Sequence, residues 1–315
     1  MNTIHVVREQ SATELELLVS EYLMSCRARG LSLRTIEDCY ASSLERVFLP
    51  WCHSQGLSTL AQLDRRTFDR YTSHLLTKTG RYGKPLSRHS VHSYVSPVRQ
   101  LLTWAQREGA DVVAKPQLPK RPRLHKDALN REQVEAMEVS SPNERDRLII
   151  RLFGDCGLRL SELMGLETSS IIRSGRSAAM AIHGKGDRHR RVPLPPALLR
   201  RLDRHIASLP KERRSDRLFL SQRKGTAGYY EPLTDSGVKQ VVADAARRAG
   251  LSRPVRPHLL RHSWMTEMLR RGMNPLQLRV VAGASPEVIA RHYEHLTEDD
   301  AYSAMISALA APGRR

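Results

Sequence analysis

Three prolines in seven residues, Pro116, Pro119 and Pro122, most constrain what this chain can fold into. Proline lacks a backbone N–H and has a fixed φ, so no helix runs through such a segment. An extended linker is what remains. Between Gly109 and Lys126 the prolines alternate with Lys115, Lys120, Arg121, Arg123 and Lys126. That charge suits a strap lying along an acidic surface. The 315 residues are enough for a buried core on each side of it. The expected division is a flexible N-terminus over 1–10, a helical unit over 11–109 and the linker over 110–126. A second unit covers 127–296, and a tail helix covers 297–315.

Apolar spacing gives the first unit four helices. Leu15, Leu18, Val19, Tyr22 and Leu23 recur at helical period up to Gly30. Ser32 caps a second helix through Ile36, Tyr40, Leu44 and Val47, with a break expected near Pro50. Asp64 caps a third with Phe68, Tyr71, Leu75 and Leu76. Ser87 opens a fourth with Val91, Tyr94, Val98, Leu101, Leu102 and Trp104, despite Pro97 within it. Four helices in about a hundred residues make a small all-α domain whose aromatic residues are core. Arg34, Arg88, His89 and His92 stand at helix starts, where they can meet phosphates or simply form a solvated face.

The second unit mixes helices with a small antiparallel sheet. Asn130 and Gln133 form a capping box, and a buried helix follows from Asn143 to Cys156, closed by Gly157. Residues 178–182 and 189–192 read as short strands around the turn His183-Gly184-Lys185-Gly186-Asp187. Pro195-Pro196 opens a helix to Ala207, and Thr234 caps one to Arg248. Next comes Arg256-Pro257-His258-Leu259-Leu260-Arg261-His262. His258 and Arg261 are three apart, so a helix starting there turns both toward one point at its N-terminal end, where anions are favoured. Tyr293 lies 32 residues beyond Arg261 on another short helix.

The net charge is +18, and both sides of the linker share the excess, which fits a polyanion held between the two units. No G-x-x-x-x-G-K-[ST] loop is present, so ATP-driven chemistry is disfavoured. Cys26, Cys39, Cys52 and Cys156 have no metal-ligand spacing. No apolar run reaches membrane-spanning length, and Met1-Asn2-Thr3-Ile4-His5 does not begin a secretory signal. The expectation is a cytoplasmic, nucleic-acid-associated protein with reduced thiols and no zinc site.

Four pieces need one explanation: Gly157-Leu158-Arg159-Leu160-Ser161-Glu162-Leu163, the turn with Lys185, the His258-Leu259-Leu260-Arg261-His262 block, and Tyr293. Each has an ordinary reading alone: a surface Arg, a turn, a cap, a core Tyr. Together, in this order, they resemble the tyrosine recombinase (phage integrase) family over roughly 12–300. The resemblance implies a mainly α protein with a small antiparallel β-sheet. It also implies an N-terminal SAM-like helical core-binding domain and an α+β catalytic domain that clamp the duplex between them. With no further domain expected ahead of residue 11, the compact Xer-like or mobile-element layout fits best.

The implied reaction is transesterification at a DNA phosphodiester, without cofactor. Tyr293 attacks phosphorus, forming a 3′-phosphotyrosyl link and freeing a 5′-hydroxyl. Arg159 and Arg261 bind the non-bridging oxygens, which suits the guanidinium fork. His258 bonds the phosphate or accepts the tyrosine proton, Lys185 protonates the leaving oxygen, and Glu162 orients His258 or the arginines. One position departs from the family pattern. Val281-Ala282-Gly283-Ala284-Ser285 aligns with Leu-Gly-His-Ser, so Ala284 stands where a His or Trp is expected. Three readings are open: a slower enzyme, replacement of the donor by His292 or His295, or a specialised subunit that needs a partner.

The tail helix, capped by Thr297 with Ala301, Ala304, Met305, Ala308 and Leu309 on its apolar face, packs either on its own domain or on a neighbour. By resemblance it docks in trans, giving a homo-tetramer, or an assembly with related recombinase subunits, on two sites of double-stranded DNA. Two rivals stand beside site-specific recombination: type IB topoisomerase-like relaxation, and a non-catalytic DNA-binding accessory subunit.

Overall fold

The computed structural model describes residues 12–80, 83–120, 127–174, 177–184 and 189–293, together with 302, 305 and 306. The expected features at 1–10, Lys185, Arg121, Arg123, His295 and most of the 297–315 tail lie outside these residues. The chain divides into two compact units, Met1–Leu124 and His125–Arg315.

In the first unit, α1 (Glu14–Ala28) starts at a reciprocal cap. The Thr13 hydroxyl accepts from the Glu16 N–H at 3.2 Å, and Glu16 accepts from the Thr13 N–H at 2.7 Å. Ser32 caps the next helical run, which starts with α2 (Leu33–Thr35). Two π-helical segments, Ile36–Ala41 and Leu44–Phe48, lead into α3 (Leu49–Ser54). The break expected near Pro50 does not occur. Pro50 stands where the π-helical segment passes into α3, and the helical run continues through it. Asp64 caps α4 (Arg65–Thr77) through the Thr67 N–H, and Ser87 caps α5 (Arg88–Arg107), which runs through Pro97.

Tyr22, Phe48, Trp51, Phe68 and Tyr71 are buried, with the Phe48 and Tyr71 rings edge to face at 5.2 Å. The unit continues past Gly109. Val112 and Ala114 pack on its core, Pro116 is buried, and Arg99 Nη1 donates to the Pro116 carbonyl at 2.9 Å. The first half of the proline segment thus lies against its own helical unit. Arg34, Arg88, His89 and Lys120 are exposed, and His92 is half-buried. Arg34 pairs with Asp38 one turn along.

The second unit begins with α6 (Arg131–Val139), capped by Asn130, and α7 (Glu144–Cys156), capped by Asn143. Then come α8 (Leu160–Gly165), β1 (Ile171–Ser174), β2 (Ser177–His183) and β3 (His189–Pro193). These strands form one antiparallel sheet in that order, with Met180 opposite both Ile171 and Val192. β1 escapes sequence reading because only Ile171 of its four residues is buried, leaving no alternation to detect. α9 (Pro196–Ala207) follows, then a two-stranded sheet of β4 (Leu220–Lys224) and β5 (Tyr230–Pro232). The chain continues through α10 (Asp235–Arg248), α11 (Pro257–Arg270), α12 (Pro275–Ala282) and α13 (Pro286–Tyr293). Leu148, Ile149, Leu152 and Phe153 of α7 are fully buried in the main core. No helix among the described residues is long and apolar enough to cross a membrane.

Gly157 is required twice over. Its φ of 57° closes α7 in the left-handed region. A Cβ there would also overlap the Trp264 ring of α11. Gly157→Ala should therefore destabilise the chain by about 2–4 kcal/mol, combining left-handed strain with overpacking. Urea denaturation of the two proteins measures this directly.

Candidate active site

The site is built around one buried carboxylate. Glu162 lies in the first turn of α8, its side chain 2% exposed. Its Oε2 accepts from the backbone N–H of Arg159 at 2.7 Å, which closes the helix start. Arg159 Nη1 donates to Oε1 at 2.7 Å. Arg190 of β3 then grips both oxygens, Nη1 to Oε1 at 2.6 Å and Nη2 to Oε2 at 2.8 Å. Arg261 of α11 brings a third guanidinium to 3.9 Å from Oε2. Three positive charges around one negative charge leave the cluster strongly cationic.

The turn before Ala284 ties the arginines down. Arg261 donates from Nη1 to the Gly157 carbonyl at 2.5 Å and from Nη2 to the Ala282 carbonyl at 2.7 Å. Arg159 Nη2 donates to the Gly283 carbonyl, and Arg190 Nε donates to the Val281 carbonyl at 2.7 Å. Gly283 ends α12 with φ at 59°, which turns these carbonyls inward. A guanidinium carries five N–H donors, so Arg159 and Arg261 each retain several for an anion. The Arg159 side chain is 40% exposed and that of Arg261 only 5%. The first presents a fork to solvent, and the second is held rigidly beneath.

Electrostatics follow from this packing. Burial alone would push the Glu162 carboxyl up. Hydrogen bonds from Arg190 and from the Arg159 backbone outweigh it, and the group sits at about 2. Burial lowers Arg261 to about 10, and the neighbouring charge of Arg159 acts in the same direction. The Arg261 guanidinium therefore stays charged at neutral pH.

The structure brings together Arg159, Glu162, Arg261 and the Ala282–Ala284 turn. Glu162 acts on arginines from two directions. His258 is exposed in the first turn of α11, a helix that starts at Pro257 with Arg256 as its N-cap. Ala284 is partly buried and packs against the apolar cluster that contains Trp264, Met265, Leu278 and Ile289. α13 ends at Tyr293 and packs on α11; the Tyr293 side chain and Lys185 lie outside the described residues. His292 is turned inward, 4% exposed, with its ring 4.4 Å from that of His262 and its Nδ1 3.2 Å from the Thr266 hydroxyl.

Sequence reading missed Arg190. Its signal was present but faint, because residues 190 and 192 share a strand face and Val192 is buried. An arginine on an inward face calls for a buried acid.

Three comparisons bear on this arrangement. The family model described as "Phage integrase family" matches residues 123–299. "Tyrosine recombinase XerD" of Corynebacterium glutamicum is 30% identical over 287 residues, 86% of this chain and 90% of that protein. "Tyrosine recombinase XerC 2" of Ralstonia nicotianae is 28% identical over 295 residues, 89% of this chain and 79% of the relative. Among solved structures, XerH site-specific recombinase bound to palindromic difH substrate superposes with a TM-score of 0.67. It is 21% identical, with 91% of this chain and 83% of that one covered. This last likeness concerns the fold.

Because the Glu162 carboxyl titrates below its ordinary 4.5, its ion pairs stabilise fully above that value and lose their effect as pH falls toward 2. Glu162→Gln leaves buried guanidinium charge without its counter-ion and should cost about 3–5 kcal/mol near neutral pH. Urea denaturation along a pH series should show the gap to wild type closing as pH drops from 4.5 toward 2.

Proposed function

The chain belongs to the phage integrase family of tyrosine recombinases, and on that premise we propose how its residues cut and rejoin DNA. It is a site-specific DNA recombinase, an enzyme that exchanges strands between DNA sites. One observation carries the residue assignment. Arg159 and Arg261, from motifs a hundred residues apart, meet at Glu162 and at the turn nine residues before Tyr293.

Tyr293 is the nucleophile. Its phenolic oxygen attacks phosphorus and the bond to the 5′ oxygen breaks, leaving a 3′-phosphotyrosyl link. His258 takes the phenol proton or bonds the phosphate, and Lys185 donates a proton to the departing 5′ oxygen. Arg159 and Arg261 hold the non-bridging oxygens as negative charge builds on them. The 5′-hydroxyl of an incoming strand then attacks the phosphotyrosine and releases Tyr293. One phosphodiester is exchanged for another, so the bond energy is conserved and no nucleotide need be spent.

Double-stranded DNA is the partner. We also assign a cyclic assembly of four copies on two sites, with the tail docking on a neighbour. Support comes from Tyr302, Met305 and Ile306, helical residues three and four apart that stand 67%, 62% and 49% exposed. Arg34, Arg88, His89, His92 and Lys120, with Arg121 and Arg123 of the linker, are assigned to the phosphate backbone, where they position rather than specify.

A nicked duplex built from inverted repeats beside the gene tests the chemistry. The wild type should trap a covalent adduct, and Tyr293→Phe should trap none. Adduct formation by neither protein would overturn the nucleophile assignment. Pairing of two labelled duplexes then separates recombination from one-site relaxation. A phosphate donor is worth about 10²–10³ in rate, so Ala284→His should raise the cleavage rate or leave it unchanged. A large loss would mean that the pocket around residue 284 is shaped for something else.

A further inference from the structure

We propose that Arg190 is a positioning residue of this site: it holds Glu162 and the turn before Ala284 in the register that presents Arg159 to the phosphate. The inference rests on the catalytic reading above and adds a residue to it. Every polar arm of Arg190 is committed. Nη1 and Nη2 grip the two oxygens of Glu162 at 2.6 and 2.8 Å, and Nε reaches the Val281 carbonyl at 2.7 Å. The side chain is 9% exposed. With all three of its nitrogens bonded within the protein, this guanidinium fixes the groups around it.

What it fixes follows from the contacts. Glu162 also holds the Arg159 guanidinium and backbone N–H. If Arg190 were absent, the whole neutralisation of that buried carboxylate would fall on Arg159 and Arg261, the two groups required by the phosphate. Arg190 carries that load and leaves their charge for the anion. It also spans three elements: β3, the start of α8 and the end of α12. Gly283 shows how closely they are packed. A Cβ there would stand 3.2 Å from Arg190 Nη1, 3.3 Å from its Cδ and 3.4 Å from Arg159 Nη1. Arg190 lies five residues after Lys185 in the sequence, so its grip also roots the strand that follows that residue.

Lysine at this position keeps the charge but has no planar fork and reaches one partner at a time. The test uses the full chain and the nicked duplex of inverted repeats. Arg190→Met and Arg190→Lys should retain that duplex within about threefold of wild type, as expected for a side chain whose nitrogens all bond within the protein. Adduct formation should fall by about 10–100-fold in Arg190→Met, the range for loss of a group that orients a binding residue, with Arg190→Lys between it and wild type. Arg190→Met combined with Glu162→Gln should be no more than about threefold slower than the slower single variant, because both act through one carboxylate.

A merely structural arginine would lower thermal stability, yet leave the cleavage rate of folded protein unchanged. Wild-type cleavage by Arg190→Met overturns the inference, as does a double variant whose loss equals the product of the single losses. If Arg190→Met does not fold, Arg190→Lys decides, and a wild-type rate in it overturns the inference. If the wild type itself forms no adduct, the catalytic reading falls and this inference falls with it.

Discussion

The Glu162 carboxylate is the interaction on which the site depends. A lone buried carboxylate would cost several kcal/mol, as would three guanidiniums crowded together without one. Together they form a cluster in which the carboxylate offsets part of the guanidinium charge, and the excess is positive. That excess is what an anion-binding site needs. The carboxylate also closes the start of α8, so the charge that organises the arginines simultaneously sets the local backbone. Electrostatics and helix geometry are satisfied by one side chain.

The glycines on either side of the cluster explain how carbonyls come to face guanidiniums. Gly157 and Gly283 both end helices in the left-handed conformation, and both offer their carbonyls to an arginine. Burial of Arg261 is tolerable because the Gly157 and Ala282 carbonyls bond it and the Glu162 carboxylate lies 3.9 Å away. The Trp264 ring fills the space that a side chain at residue 157 would need. The apolar core and the polar site therefore share a boundary at α11, where Leu260 and Trp264 pack inward and Arg261 reaches the α8 side.

Much of this was legible beforehand. Asn143, Ser87, Asp64 and Thr234 announce their helices because capping is a local contest between a side chain and a few backbone N–H groups. The apolar run from Ala178 to Ile182, ahead of a glycine-containing turn, announces β2. Pro50 misled because a proline is a breaker only relative to the hydrogen-bond ladder around it, and that ladder changes from π to α at Leu49. β1 was invisible because its pairing with β2, not its own composition, makes it a strand.

The sequence by itself determined the mainly helical fold with its small antiparallel sheet and the order of the chemical motifs. These are local properties, written in spacing, caps and breakers. Only the tertiary structure decided which charges meet. Arg190 looks like one of many basic residues until the β3 register carries it to Glu162, twenty-eight residues earlier in the chain. Ion pairing among distant residues depends on where the backbone brings them, and a chain with 51 Lys and Arg against 33 Asp and Glu offers too many partners for pairing to be read from order alone.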